Sequence, residues 1–255
     1  MHLRTTLAMG LALAAHATAE GSGGPAVLLI NEIRIDQGGS DVDEYFELFS
    51  VPSSASLDGY TYIVIGDGAG GAGTIEAVID LTGSVSNANG LFLAAESTFT
   101  LGTADLITDL NFENSDNVTH VLVEGFTGAL DDDLDTDDDG VLDVMPWASV
   151  ADAIGLFEGP TSGEFSYGAA LGGVDVGPDG SFTPAHVFRC LSSLADVRIG
   201  SFTLGAFDTP GAFNAPCTAS TSAFCDPGEA NSVRASGGLM GLDGSGSIQL
   251  NDNTL

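Results

Sequence analysis

The sequence has no lysine, and its five arginines face 36 acidic residues, for a formal net charge of −31. A surface so poor in cations repels phosphate backbones, which argues against nucleic acid as a partner. Histidine is scarce too. Beyond the N-terminal leader only His120 and His186 remain. Neither has a cysteine or second histidine at ligand spacing, so no zinc site is legible. No nucleophile lies near either to complete a base–nucleophile pair. Both sit in strand patterns, where a structural role is expected. The glycine-rich "GDGAGGAG" from Gly66 has no lysine after it and opens no helical pattern. It reads as a hairpin or loop rather than a phosphate cradle.

No apolar run reaches the roughly 20 residues that a spanning helix needs. The longest is at the start, where "MHLRTTLAMGLALAAHATAEG" combines a short basic start, an apolar stretch and Ala17-Thr18-Ala19. This is the layout of a secretory signal peptide over residues 1–19, with cleavage before Glu20. Residues 20–26 then form a linker. The mature chain would carry four arginines against 36 acids, a formal charge of −32. Cysteine is sparse and late: Cys190, Cys217 and Cys225. An exported protein with three cysteines accommodates one disulfide and leaves one thiol over. Three pairings are possible; Cys190 with Cys217 is preferred because both flank the end of the main domain.

What the chain does contain is strand pattern. "INEIRID" alternates about Ile33 and Ile35, and "EYFELF" sets Tyr45, Glu47 and Phe49 against Glu44, Phe46 and Leu48. "YTYIVI" and "NVTHVLV" are rich in β-branched and aromatic residues. Shorter candidates are 75–81, 91–95, 150–156 and 186–190. Glycine, serine and aspartate turns separate them, and no stretch holds a 3.6-residue period with caps. Many short strands with regular turn signals predict an all-β chain folded as a β-sandwich. After Asn214 the composition shifts. Residues 215–225 read as a linker, and 226–255 as a truncated second module or a disordered tail.

Eight aspartates crowd the thirteen residues "DDDLDTDDDGVLD", Asp131 to Asp143. Asp135, Asp137 and Asp139 fall at the first, third and fifth places of a D-x-D-x-D-G calcium loop, with Gly140 at the turn. Val141 offers a backbone carbonyl, Leu142 an apolar anchor, and Asp143 a ninth-place carboxylate. Calcium takes six to eight oxygens, and alternating carboxylates on a turning backbone supply them. A purely solvating run needs neither the alternation nor the glycine. Pro146 stands where an EF-hand has its bidentate glutamate and no helices flank the loop, so the pattern is that of an extracellular repeat module. The expected ligands are Asp133, Asp135, Asp137, Asp139, Val141 and Asp143, with Ca2+ as the cofactor. Asp41, Asp43, Glu44 and Glu47 could include a paired acid and base for glycan hydrolysis, a reading compatible with any acidic surface. The sequon at Asn117 lies within a strand pattern and is read as chance.

At "LLINEIRID", "DEYFELF", "LDGYTYIVIGDG" and "DTPGAFN" the chain resembles the lamin tail domain family, in its exported bacterial branch. Asn31-Glu32, Glu47-Leu48, Leu57-Asp58-Gly59-Tyr60 and the Pro210-Gly211-Ala212-Phe213-Asn214 close carry the likeness. Phe49-Ser50 stands where asparagine is commoner. The resemblance spans about residues 27–214 and implies an immunoglobulin-like sandwich, of the kind that accompanies secreted nucleases or phosphoesterases as an accessory module. No such catalytic domain is legible here. The matching asparagines and glutamates are expected to be structural. The sequence therefore predicts a secreted, calcium-stabilised, non-catalytic module with an extracellular or cell-surface partner. An exported metal-dependent hydrolase working at the acidic loop is the second reading.

Overall fold

In the computed structural model the described residues are 26–159, 164–190, 195–200 and 202, together with the backbone of two short C-terminal strands. The leader, the Pro-Gly-x-x-Asn close, Cys217 and Cys225 lie outside them. The structure is an all-β sandwich. One sheet holds β1 (Val27–Arg34), β2 (Tyr45–Val51), β5 (Leu91–Ala95), β6 (Leu106–Ile107), β10 (His186–Arg189) and β11 (Val197–Ile199), in the order β11-β10-β1-β2-β5-β6. The other holds β3 (Tyr60–Gly66), β4 (Thr74–Asp80), β7 (Val118–Glu124), β8 (Ser149–Leu156) and β9 (Val174–Val176), in the order β4-β3-β7-β8-β9. Pairing is antiparallel except for β5–β6 and β8–β9. β12 (Met240–Leu242) and β13 (Ile248–Leu250) pair with each other near the C-terminus. Among the described residues no helix is long and apolar enough to cross a membrane.

One core lies between the sheets. Leu28, Ile30, Ile33, Phe46, Leu48 and Phe92 from the first meet Tyr62, Val64, Ile79, Leu122, Ile154 and Leu156 from the second. Phe46 stacks on Tyr62 with ring centroids 3.7 Å apart. Strict alternation cannot place Ile30 and Ile33 on the same face, since they differ by an odd step. A bulge resolves this: Ile30 pairs with Leu48 and Glu32 with Glu47, leaving Asn31 as the extra residue on β1. The inserted residue reverses the parity of the strand. A second bulge leaves Glu76 extra on β4, and a third leaves Ala151 extra on β8.

Both sheets bury their outer faces as well. On the six-stranded sheet, Glu32, Tyr45, Glu47, His186 and Phe188 are fully or almost fully buried. Glu32 Oε1 is shared by the Tyr45 hydroxyl and by His186 Nε2, the latter at 2.8 Å, and Asn31 Nδ2 donates to Glu47 Oε1 at 2.7 Å. On the five-stranded sheet, Ile63, Ile65, Ile75, Val121 and Val123 form a separate apolar layer. This explains why "YTYIVI" reads as a continuous apolar run: the strand is buried on both sides.

The sheets are also joined by charge. Asp152 on β8 accepts from the Ile30 amide at 2.8 Å and from Arg189 Nη2, while Arg189 Nε donates to the Ile30 carbonyl at 2.8 Å. Burial raises the Asp152 pKa against the opposing pull of Arg189, and burial lowers that of Arg189. Changing Arg189→Met alone leaves a buried carboxylate without its cation and should cost about 3–5 kcal/mol. Adding Asp152→Asn keeps the amide acceptor and should restore much of the loss. Chemical denaturation of the wild type, both single variants and the double variant measures the coupling; strictly additive losses would show that the pair does not act as a unit.

Candidate metal centre

The acidic loop does not hang in solvent. It lies against the outer face of the five-stranded sheet, with Leu134 fully buried beside Ile63, Ile75 and Val121. Leu142 and Trp147 pack on the same layer. Backbone bonds tie it down. Ile75 N–H donates to the Asp132 carbonyl, Asp131 N–H to that of Ile75, and Leu134 N–H to that of Gly73, at 2.9, 2.9 and 3.0 Å. The loop thus lies antiparallel along the edge of β4, with Asp133 bridged to Thr74, before it turns away.

The glycine-rich segment after β3 is the bed on which the loop rests. Gly73 has φ +85°, and a side chain there would meet the Asp135 Cβ at 2.6 Å and its backbone nitrogen at 2.7 Å. Gly71, at φ +103°, leaves the same kind of room for the Asp138 carboxylate, which accepts from the Ala72 amide at 2.9 Å. Only residues without a Cβ let the two backbones approach so closely at these angles. In the sequence "GDGAGGAG" and the aspartate run are separate features; nothing in local spacing says that the two touch.

Within the loop, one aspartate is the keystone. Asp135 is fully buried. Its Oδ1 accepts from Asp139 N–H at 3.1 Å, and its Oδ2 from Gly140 N–H and the Tyr167 hydroxyl, each at 2.8 Å. Burial and the neighbouring Asp135 push the Tyr167 phenol well above its ordinary range, so it stays a donor. Around this fixed carboxylate the loop brings Asp137 and Asp143, with one oxygen of each of the three within 4.8 Å of the others. Asp137 and Asp143 are exposed. The Asp137 pKa is raised, chiefly by the charge of Asp139, then by partial desolvation and by Asp143, Asp135 and Asp138. The arrangement is three hard oxygen donors on a tight turn, with no arginine paired to any of them among the described residues. Such a set suits a hard divalent cation.

The expected ligands divide. Asp135, Asp137 and Asp143 come together. Asp133 and Asp139 stand outside that group, and their carboxylates accept from the Asp135 and Val141 amides at 3.2 and 2.9 Å. The Val141 side chain is exposed. Asp143 also accepts from the Thr136 amide at 3.0 Å. Tyr167 had no signal in the sequence, since its place depends on the return of the chain after β8. Cys190 is disulfide-bonded; the expected partner Cys217 lies outside the described residues.

Among the described residues the remaining sequence candidates do not gather into a second centre, although two acidic groups that the sequence did not single out, Asp67–Glu76–Glu113 and Asp67–Asp116–Glu164, also bring one oxygen each within 4.8 Å of the others. His120 is buried in the core, 2.9 Å from the Tyr62 hydroxyl, and burial lowers its pKa to about 3. His186 is enclosed on the other sheet. Glu44 and Glu47 point to opposite faces of the β2 chain, and Asp43 is engaged by Thr100. The Asn117 side chain accepts from Glu158 N–H at 2.8 Å and is buried, so the sequon is closed. Comparison with models of known protein families, with curated proteins and with solved structures finds no match.

The glycine bed yields a direct test. Gly73→Ala should destabilise by more than the roughly 1–2 kcal/mol that the left-handed backbone alone imposes on alanine. Gly83, at φ +85° with nothing within 4 Å of the place a methyl would occupy, isolates that backbone cost as Gly83→Ala. Equal losses in urea unfolding for the two variants would show that the loop is not seated on Gly73.

Proposed function

We propose that the chain is an exported, calcium-stabilised β-sandwich module of lamin-tail type, with a non-catalytic binding or structural role outside the cell. The observation that carries the calcium reading is the convergence of Asp137 and Asp143 on the buried, hydrogen-bonded Asp135. A carboxylate fixed by two amides and a phenol is preorganised, so binding a cation orders little that is not already ordered. The finer assignment to an immunoglobulin-like, lamin-tail module follows the motif resemblance. The buried positions of Asn31, Glu32 and Glu47 suit the structural role expected of those motifs. Export follows the N-terminal leader pattern.

The cation relieves a specific strain. Asp137 holds its proton more tightly than an ordinary aspartate because its neighbours are charged. A raised folded-state pKa means that this group weakens the folded loop as pH climbs through the carboxylate range and it ionises. Calcium supplies the opposing charge and removes the penalty. It binds the folded loop and not the unfolded chain, so it stabilises the domain by mass action. Its ligands would be Asp135, Asp137 and Asp143, with Asp133, Asp139 and the Val141 carbonyl close in sequence to complete the shell.

One feature favours the hydrolase reading: Asp137 and Asp143 are exposed, which leaves room for water on a bound metal. Neither histidine reaches the loop to serve as a base, and this keeps the structural reading ahead.

Thermal melts in excess EDTA and then in calcium test the proposal. At a calcium concentration a hundredfold above Kd the gain should be about 2.7 kcal/mol. For a domain of this size that corresponds to a rise in Tm of roughly 5–10 °C. Asp137→Ala/Asp143→Ala should abolish the rise. An unchanged wild-type melt would leave the run as a solvated cover for the sheet. Phosphodiester or glycan turnover lost in the same variant would favour the hydrolase.

A further inference from the structure

Between β6 and β7 the chain crosses from one sheet to the other as an irregular strap, residues 108–117. Two apolar side chains hold it from below. Leu110 and Phe112 are buried in the main core, and the Phe112 ring meets His120 edge-on at 4.9 Å. Its backbone is held far less. Among the described residues, the one hydrogen bond made by the backbone from Asp109 to Ser115 is from Phe112 N–H, at 3.0 Å, to the Glu44 carboxylate. Asn114 Nδ2 adds a bond to Asp41 at 3.1 Å. Its ends are held by Thr108 N–H on the Ala95 carbonyl at 3.0 Å and by Thr183 Oγ1 on the Asp116 carbonyl at 2.8 Å; between them the strap is fastened, on its polar side, to acids.

Those acids face other acids. Glu44 is buried at the start of β2. The Glu96 carboxyl, just beyond β5, lies within hydrogen-bonding reach, and Asp41 adds its charge from the same side. Asp36, beyond β1, bears on Asp41, and Arg34 bears on Asp36. Further along the strap Glu113 faces Glu76, the bulge residue of β4, whose carboxyl fills the space beside Gly66. Asp67 from the β3–β4 connection and Asp116 from the strap crowd the same group. Glu164, after β8, gathers with Asp67 and Asp116, and Asp131 lines the adjoining cavity. No arginine among the described residues pairs with Glu44, Glu76 or Glu113. A cavity of about 440 Å³ lined by Asp41, Glu76, Phe112, Glu113 and Asn114 runs along the strap and gives water access to Glu76 and Glu113. Two carboxylates that close, half out of water and without a cation, cannot both hold a negative charge at low cost.

We propose that residues 108–117 are a pH-sensitive latch: protons held on Glu44 and on Glu76 keep the strap seated, and their loss loosens it from the sandwich. The Phe112 amide favours the charged form of Glu44, but burial beneath the strap and the nearby Glu96 outweigh it, so an ionised Glu44 is relieved when the strap lifts and water reaches it. The direction of the response follows. Burial, reinforced by Glu96, raises Glu44 to about 8, and burial, reinforced by Glu113 and Asp67, raises Glu76 to about 7. The seated strap binds protons that the freed strap releases, so seating is strongest below the ordinary carboxylate pKa. It weakens as pH climbs through 7 and 8. The latch does not use Asp135, Asp137 or Asp143. Asp67, Glu76 and Glu113 bring one oxygen each within 4.8 Å of the others, so hydrogen exchange is also run in EDTA, and a pH response present only with calcium overturns the latch.

Hydrogen exchange on the full chain, at constant millimolar calcium from pH 5.5 to 8.5, tests the latch. The reporter is the Phe112 amide, whose acceptor is Glu44 itself. After correction for intrinsic exchange, its opening constant should rise by about tenfold per pH unit for each proton released. Peptides from β2 and β3 should stay flat over the same range. In Glu44→Gln/Glu76→Gln the Phe112 amide should remain protected at pH 8.5, because glutamine keeps the acceptor and cannot ionise. A pH-independent opening constant in the wild type overturns the latch, even if the double variant fails to fold. A folded variant that keeps the wild-type pH response overturns it as well.

Discussion

The five-stranded sheet is apolar on both faces, and this constraint shapes everything around it. Its inner face is met by the six-stranded sheet. Its outer face, with Ile63, Ile65, Val121 and Val123, has no third sheet to cover it among the described residues. The chain covers it with its most highly charged segment. That is possible because the aspartate run is interrupted at Leu134 by a side chain that enters the layer, and because Leu142 and Trp147 follow. Burying a leucine stabilises by roughly 1.5–3 kcal/mol. The same fold step forces eight aspartates into one short span. The loop is pulled in by its apolar residues and pushed apart by its acids.

The bulges matter for the same reason. Each reverses the parity of a strand at one residue, so that a polar group arrives where an apolar one would otherwise stand. The bulge at Asn31 brings the Ile30 backbone within reach of Asp152, and Arg189 closes the same joint between the sheets. The bulge at Glu76 turns a carboxyl toward Gly66 and the strap rather than placing another apolar residue in the sheet. Irregularities in the ladders therefore mark where charge is carried into the sandwich.

The strands were legible because alternation and β-branched content report burial directly. β2, β3, β4, β5, β7, β8 and β10 fall where those patterns place them. β6, β9 and β11 were not legible, since two or three residues are too few to show a period. In the loop, the D-x-D-x-D-G spacing located the turn and its glycine, because that motif is local in the chain. It did not show which carboxylates converge. Asp133 and Asp139 fit the pattern as well as Asp137 and Asp143 do, and a bond to a backbone amide does not separate them, since Asp143 accepts one too. Tyr167 and the glycine bed were invisible for a different reason: their contacts with Asp135 cross 32 and 62 positions of sequence and depend on topology alone.

A net charge of −31 suggests a uniform solvated coat, but the acids fall into two populations with opposite electrostatic demands. Asp137 and Asp143 sit in solvent around a fixed partner, where water screens part of the repulsion and a cation can approach from outside. Glu44 and Glu76 sit at the seam between the sheets, where burial rather than neighbouring charge is the largest cause of their raised pKa. Desolvation penalises the charged form whatever lies nearby, so these groups are relieved most directly by a proton. In both settings the missing lysines are felt: with three of the five arginines placed on β1, β10 and β11, the chain has little cationic side chain to spend on either group. Among the described residues neither group has a paired arginine, so whatever offsets its charge comes from solution.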